Sequence, residues 1–384
     1  MPDPISLVVL WRQNELVPAG RRAERLAYWF SRRPEIGRVL YVEPPLSRKR
    51  LDAPRLRKLL PLHARRAADG PWQLTLLKPN TIAGLDGPVA ERHTQWLSVA
   101  LLARFIRRHA PRPRVLWVYP PHPFSTALVR ATPHDRLICD IVDDVLSDDA
   151  GGFPDCEDLV AASDATFTTS AELAERLRPW QPEASYVPNG LDPAFLADPA
   201  DPVAEPTGRR PVLGYLGVLS ERTDLSLIAV VADRFQDCDV ELVGWVDGNP
   251  PELAPLLARR NVHLRARVPF DRVAGVIDRF DVCLLPHRDN PLSRSMSPLK
   301  LFQYVARGKP VVATRVAGVE LLADVIHVTD AAEAFAAAVG TCLQVELHDR
   351  NLRSRRIDAA GRHTWERRVA DMLPRVVVPA TFRR

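Results

Sequence analysis

The sequence predicts an α/β chain built as two doubly wound domains, each a parallel sheet with helices on both faces. Three observations carry this. Short apolar runs of strand length alternate with amphipathic helical stretches, as when strands are buried on both faces. The alternation runs twice, broken at 192–211 (DPAFLADPADPVAEPTGRRP), where five residues are proline and few are apolar. The chain has 384 residues, 46% hydrophobic and 26% charged, which suits two cores of ordinary size.

In order, Ile5–Trp11 reads as a buried strand, and a helix bearing Leu26, Ala27, Trp29 and Phe30 follows. Strands are expected at 38–42, 72–77, 114–119 and 136–142, with a helix over 89–109. The second series places strands at 211–217, 239–244, 261–265, 281–285, 310–313 and 325–328. Its helices fall near 224–235, 250–259, 270–279, 298–307, 331–344 and 362–373. No short fixed-period repeat is present. The expected division is an N-terminal domain at 1–195, a C-terminal domain at 209–360 and a closing helical segment at 361–384. Open parallel sheets bind ligands beyond the carboxyl ends of their strands. Two such domains facing each other are expected to form a site in the cleft between them.

Composition excludes several classes. No apolar run approaches the roughly 20 residues needed to span a bilayer. The run Leu7–Trp11 is short for a secretory signal and lacks a basic lead. The five cysteines (139, 156, 238, 283, 342) have no zinc spacing and read as reduced thiols of a cytoplasmic protein. Net charge is +5, almost all from arginine. Residues 1–70 carry 15 Arg/Lys against 7 Asp/Glu, whereas 140–160 carry eight acids and no base. A basic first segment suits an anionic membrane or a phosphate-bearing substrate, or simply a solvated surface. One version is an interfacial helix of Arg21, Arg22, Arg25, Tyr28, Trp29, Phe30, Arg32 and Arg33; the other buries Trp29 and Phe30 in the core. No nucleic-acid module is evident.

Four segments can carry chemistry. Gly214–Arg222 (GYLGVLSER) ends a strand in glycines where a helix should begin. Glycine lets the backbone approach a phosphate, the helix N-terminus favours an anion, and Arg222 can close on it. It lacks the three spaced glycines of the dinucleotide fingerprint, so a plain strand-to-helix turn is an equal reading. In SPLKLFQYVARGKPVVAT (297–314), Ser297 is expected to cap a helix with Pro298 in its first turn, and Gly308 to end it. Lys300 and Gln303 lie three apart on one face, suited to a phosphate and a hydroxylated ring. In the acidic stretch 140–149, Asp143 and Asp144 sit next to the strand end. There a carboxylate near like charge would titrate high and act as a base, or ligate a metal. Asp148 and Asp149 read as solvated acids. VPNGLD (187–192) is a turn. His122 follows the strand 114–119, where a satisfied structural histidine is the plainer reading.

The order of these segments, with DVCLLPH at 281–287 before the last, resembles the GT-B nucleotide-sugar glycosyltransferases. Within them it is similar to the glycosyltransferase 4-like and glycosyltransferase 1 groups, and to bacterial envelope enzymes of the teichuronic acid TuaH type. The likeness covers nearly the whole chain. His363–Arg367 (HTWER) resembles the family's closing helix, which crosses back onto the first domain. The resemblance implies a hexosyltransferase moving a sugar from a nucleotide-diphosphate donor to an envelope or exopolysaccharide precursor, lipid-linked acceptors included. Arg222 and Lys300 would meet the diphosphate. Gly217 and Gly244 would allow close backbone approach, with Ser297, Pro298 and Leu299 framing the site and Gln303 near the ribose. Asp143, then Asp144, would be the catalytic carboxylate, with His122 and Arg21 on the acceptor side. The resemblance implies no cofactor and no catalytic metal, because helix dipole and basic groups meet the leaving diphosphate. It also implies a cytoplasmic place, at the inner face of the plasma membrane if the anionic contact holds. Two departures stand out. Relatives carry two glutamates where this chain has Ser295 and Gln303, and a basic residue beside the glycine where Val218 stands. A GT-B epimerase or hydrolase, or a non-catalytic sugar-nucleotide scaffold, are the alternatives.

Overall fold

In the computed structural model, residues 4–11, 20–43, 62–66, 72–76, 88–119, 121–142, 156–197 and 208–377 are described. By contact the chain divides into two compact units, 1–187 with 369–384, and 188–368.

The first unit holds an eight-stranded sheet: β1 (Ile5–Trp11), β2 (Ile36–Val42), β3 (Leu62–Arg66), β4 (Trp72–Leu76), β5 (Arg114–Tyr119), β6 (Arg136–Ile141), β7 (Ala165–Thr168) and β8 (Ser185–Tyr186), in the order β3-β4-β2-β1-β5-β6-β7-β8. All pairs are parallel except β3 with β4. The antiparallel edge departs from the all-parallel expectation; a hairpin partner needs no crossover helix and leaves only a weak pattern. Strands β5 and β7 are buried at every position; in β5 this explains the continuous apolar run, whereas β7 (ATFT) buries Thr166 and Thr168 between its apolar residues. Helix Arg22–Phe30 buries Arg22, Ala23, Leu26, Ala27 and Phe30. Arg22 and Phe30 thus belong to the core and not to an interfacial face, whereas Tyr28 and Trp29 are half-buried.

The second unit holds β9 (Val212–Leu216), β10 (Asp239–Gly244), β11 (Val262–Ala266), β12 (Val282–Leu285), β13 (Val311–Ala313) and β14 (His327–Val328), all parallel, in the order β11-β10-β9-β12-β13-β14. The chain leaves β9 in one direction for β10 and β11 and the other for β12 to β14. That reversal puts the topological switch point between β9 and β12, where open sheets open a ligand crevice. In the first unit the equivalent reversal lies between β1 and β5. Helix Arg350–Gly361 has no place in the sequence reading. Its buried face is Arg356, Ala359 and Ala360, which no apolar periodicity registers.

Candidate functional site

The glycine turn after β9 is built by backbone crowding. Gly217 N–H donates to the Val243 carbonyl at 2.9 Å, and Leu219 N–H to Trp245 at 2.9 Å. The two strand ends run so close that a Cβ on Gly244 would lie 1.8 Å from the Gly217 carbonyl oxygen. Gly244 therefore works by letting the Gly217 turn fold across it. Gly217 has φ +139°, and a Cβ there would lie 2.6 Å from the Lys300 ammonium. This glycine thus gives a cation its place beside bare backbone.

Helix Leu299–Ala306 brings that cation. It buries Leu301, Phe302, Tyr304, Val305 and Ala306, so its rotation is set by packing and Lys300 is presented at its first turn. Lys300 Nζ donates to the Tyr215 hydroxyl at 2.8 Å and lies 4.1 Å from the ring centroid. Tyr215 donates in turn to the Val218 carbonyl at 2.7 Å. One helical turn after Lys300, the buried Tyr304 hydroxyl accepts from Leu216 N–H at 2.7 Å. Burial holds this phenol well above its ordinary pKa, so it stays a neutral tie between helix and strand end. Neither tyrosine was singled out in the sequence, although both lie within its quoted motifs.

Ser297 does not cap this helix. Pro298 is the N-cap residue and makes no side-chain cap bond. Ser297 is instead held by Asn189, whose N–H donates to Ser297 Oγ at 3.0 Å and whose amide donates to the Ser297 carbonyl at 2.7 Å. Gly190 follows because a Cβ there would lie 2.7 Å from Trp365 N. The VPNG turn thus anchors the segment entering the helix. Gln303 is half-buried, and Ser295 is fully buried.

Arg222 lies on the loop from β9 to helix Leu225–Arg234. Its carbonyl accepts from Arg288 N–H at 2.9 Å and from His287 Nδ1 at 3.1 Å. His287, at the end of β12, is the residue that sequence reasoning passed over; the signal was the Pro-His that closes an apolar strand. Burial, then the Lys300 charge, depresses its pKa to about 3, opposed by the hydrogen bond to the Arg222 carbonyl and aided by the Arg222 charge. The ring is neutral, with Nδ1–H facing the carbonyl. Lys300, Arg222 and His287 therefore share one electrostatic neighbourhood at the β9/β12 switch point. Burial likewise lowers His363 to about 4.

These histidines predict an acid-sensitive second unit. Unfolded histidine takes its proton near pH 6.5, whereas folded His287 does so only near 3. The stability is whole above about pH 6.5 and falls as pH drops towards 3, at roughly 1.4 kcal/mol per pH unit for His287. Urea midpoints of the second unit should decline from pH 6.5 to 4, less steeply in His287→Gln. A flat wild-type profile over that range would refute the assignment.

In the first unit Arg21 precedes helix Arg22–Phe30, with its N–H donating to Glu24 at 3.3 Å. His122 is the N-cap of helix Pro123–Ala131 and accepts from Ser125 N–H at 3.4 Å, a long capping bond. Both flank the β1/β5 switch point. Asp143 and Asp144 lie outside the described residues. Asp140, just before them, is fully buried against Arg22 at 2.9 Å.

One cluster of metal-type ligands occurs among the described residues: His327, Cys342 and Glu346. His327 Nε2 lies 2.6 Å from Glu346, and Arg356 pairs with the second carboxylate oxygen. That guanidinium makes the cluster an ion-pair network joining β14 to the helices that follow. No helix among the described residues is long and apolar enough to cross a membrane.

Comparison with known proteins agrees with this geometry. Residues 210–345 match the family described as Glycosyl transferases group 1. Over 104 residues, the chain is 30% identical to the Bacillus subtilis (strain 168) protein named for teichuronic acid biosynthesis, the glycosyltransferase TuaH. That match spans 27% of this chain and 26% of TuaH. Among solved structures, sucrose-phosphate synthase from Thermosynechococcus elongatus aligns with a TM-score of 0.69 at 14% identity, over 96% of this chain and 97% of that one. The E. coli trehalose-6-phosphate structure bound with UDP-2-fluoro glucose gives 0.65 at 13%, over 98% and 99%. The UDP-forming trehalose-phosphate synthase from Burkholderia xenovorans gives 0.67 at 12%, over 97% and 99%. The fold is GT-B.

Proposed function

From a group 1 glycosyl transferase domain at 210–345 in a chain of GT-B fold, we propose a hexosyltransferase that uses a nucleotide-diphosphate sugar. The observation that carries the reading is the Lys300 ammonium seated against Gly217 beside an uncapped helix N-terminus. The leaving diphosphate would be met by Lys300, Arg222 and the first-turn N–H groups, taking the place of a catalytic metal. Gln303, three residues on, would reach the ribose. Asp143 or Asp144 would take the acceptor proton if the transfer inverts. The likeness to a protein named for teichuronic acid biosynthesis supports a polysaccharide precursor as acceptor; in this reading the precursor is an envelope glycan, lipid-linked at the inner face of the plasma membrane. The UDP ligand and UDP-forming name of structural relatives make UDP the nucleotide to try first.

Calorimetry with UDP and UDP-glucose, with and without Mg²⁺, tests this. Lys300→Ala should weaken UDP by about 1–3 kcal/mol, one lost charge-assisted contact. If the transfer inverts, Asp143→Asn should bind UDP normally and lose turnover. Equal UDP affinity in wild type and Lys300→Ala would refute the phosphate assignment.

A further inference from the structure

Helix Pro88–His109 is locked in rotation by its inner face, where Val99, Leu102, Ala103 and Ile106 are buried in the first unit's core. Its outer face is unusual. Trp96 is 71% exposed, Leu97 39% and Leu101 44%. They form three of the seven large apolar side chains exposed among the described residues. Exposed apolar residues scattered singly need no explanation; three within two helical turns mark a contact surface. At 100° per residue, Leu97, Leu101, Arg104 and Arg108 share one stripe, and Trp96 and Arg107 lie together about a quarter turn to one side of it. Arg104, Arg107 and Arg108 are all exposed. Residues 95–109 contain no acid.

We propose that this face docks on an anionic lipid surface. An aromatic and two leucines on one end of a fixed helix, followed by three exposed arginines in a stretch that carries no acid of its own, match an interface that is apolar within and negatively charged outside. A protein partner would equally accept the apolar residues, but the exposed arginine row selects a surface of dense negative charge. The proposal deepens the lipid-linked acceptor reading and relocates the membrane contact from helix Arg22–Phe30, whose apolar face is core. The helix itself lies in the first unit, away from the Lys300 site in sequence and unit, so the two can fail separately.

The test is co-sedimentation of the full chain with phosphatidylglycerol-containing and pure phosphatidylcholine vesicles, with UDP affinity measured in parallel. Wild type should bind the anionic vesicles roughly 100-fold better, the joint effect of three arginines near a charged surface. Arg104→Glu/Arg108→Glu should abolish that preference, and Trp96→Ser/Leu101→Ser should weaken binding to both, each with unchanged UDP affinity and circular dichroism. Equal wild-type binding to the two vesicles, or to neither, would overturn the proposal. So would a wild-type dimer that Trp96→Ser/Leu101→Ser converts to monomer without changing vesicle binding.

Discussion

Gly244→Ala is expected to collapse the second unit's ligand edge. The new methyl would lie 1.8 Å from the Gly217 carbonyl oxygen, and both groups are backbone, so neither can swing away. Separating them means pulling the Gly217 turn off β10 and losing its bond to Val243. The cost should be at least ~3 kcal/mol, or roughly 6–12 °C in the melting of a unit this size, with UDP binding lost as well. Gly217→Ala is a useful contrast. Its methyl meets the far end of Lys300, which can move, so the stability cost there is mainly the backbone strain at φ +139°, while UDP binding should fall through the displaced Lys300. Scanning calorimetry together with UDP titration separates the two. A Gly244→Ala protein that melts within 2 °C of wild type and binds UDP normally, about the shift expected from less than 1 kcal/mol, would contradict the close approach.

The second large effect is in the first unit. Arg22 Nε donates to both Asp140 oxygens at 3.1 and 2.9 Å, and its Nη1 donates to the Val187 carbonyl at 2.8 Å. Both side chains are almost wholly buried. Burial pushes the Asp140 carboxyl upward, opposed by Arg22. Removing the arginine alone leaves a buried acid without its partner, so Arg22→Met should cost about 3–5 kcal/mol. Replacing both, as Arg22→Met/Asp140→Leu, should recover most of the loss, because two apolar groups need no pairing. Urea unfolding of the single and double variants measures the coupling. A loss below 1 kcal/mol in the single variant would show that the pair is not the tie drawn here.

The alternation of apolar runs and helical stretches was enough to read two doubly wound sheets, because strands covered on both faces must be apolar throughout. The elements missed include the antiparallel edge strand β3, the two-residue β8, the inner strand β7, whose buried threonines break the apolar run, the short helices Pro123–Ala131, Cys156–Ala161 and Ala171–Leu177, and helix Arg350–Gly361 with a buried arginine. Ser297 was misread as a cap because Ser before Pro at a helix start has that local signature. The Asn189 contact that claims Ser297 comes from 108 residues away, beyond any local rule.

The amino-acid sequence by itself determined the α/β class, the two series of strands and the positions of Gly217, Lys300 and the helix that carries it, since these follow from local periodicity and turn chemistry. Only the tertiary structure decided what those groups meet. Lys300 rests on Tyr215, Gly244 yields to the backbone of Gly217, and His287 is neutral because burial and the Lys300 charge converge on it. Such relations depend on strand order and burial, and both arise from contacts between residues far apart in the chain.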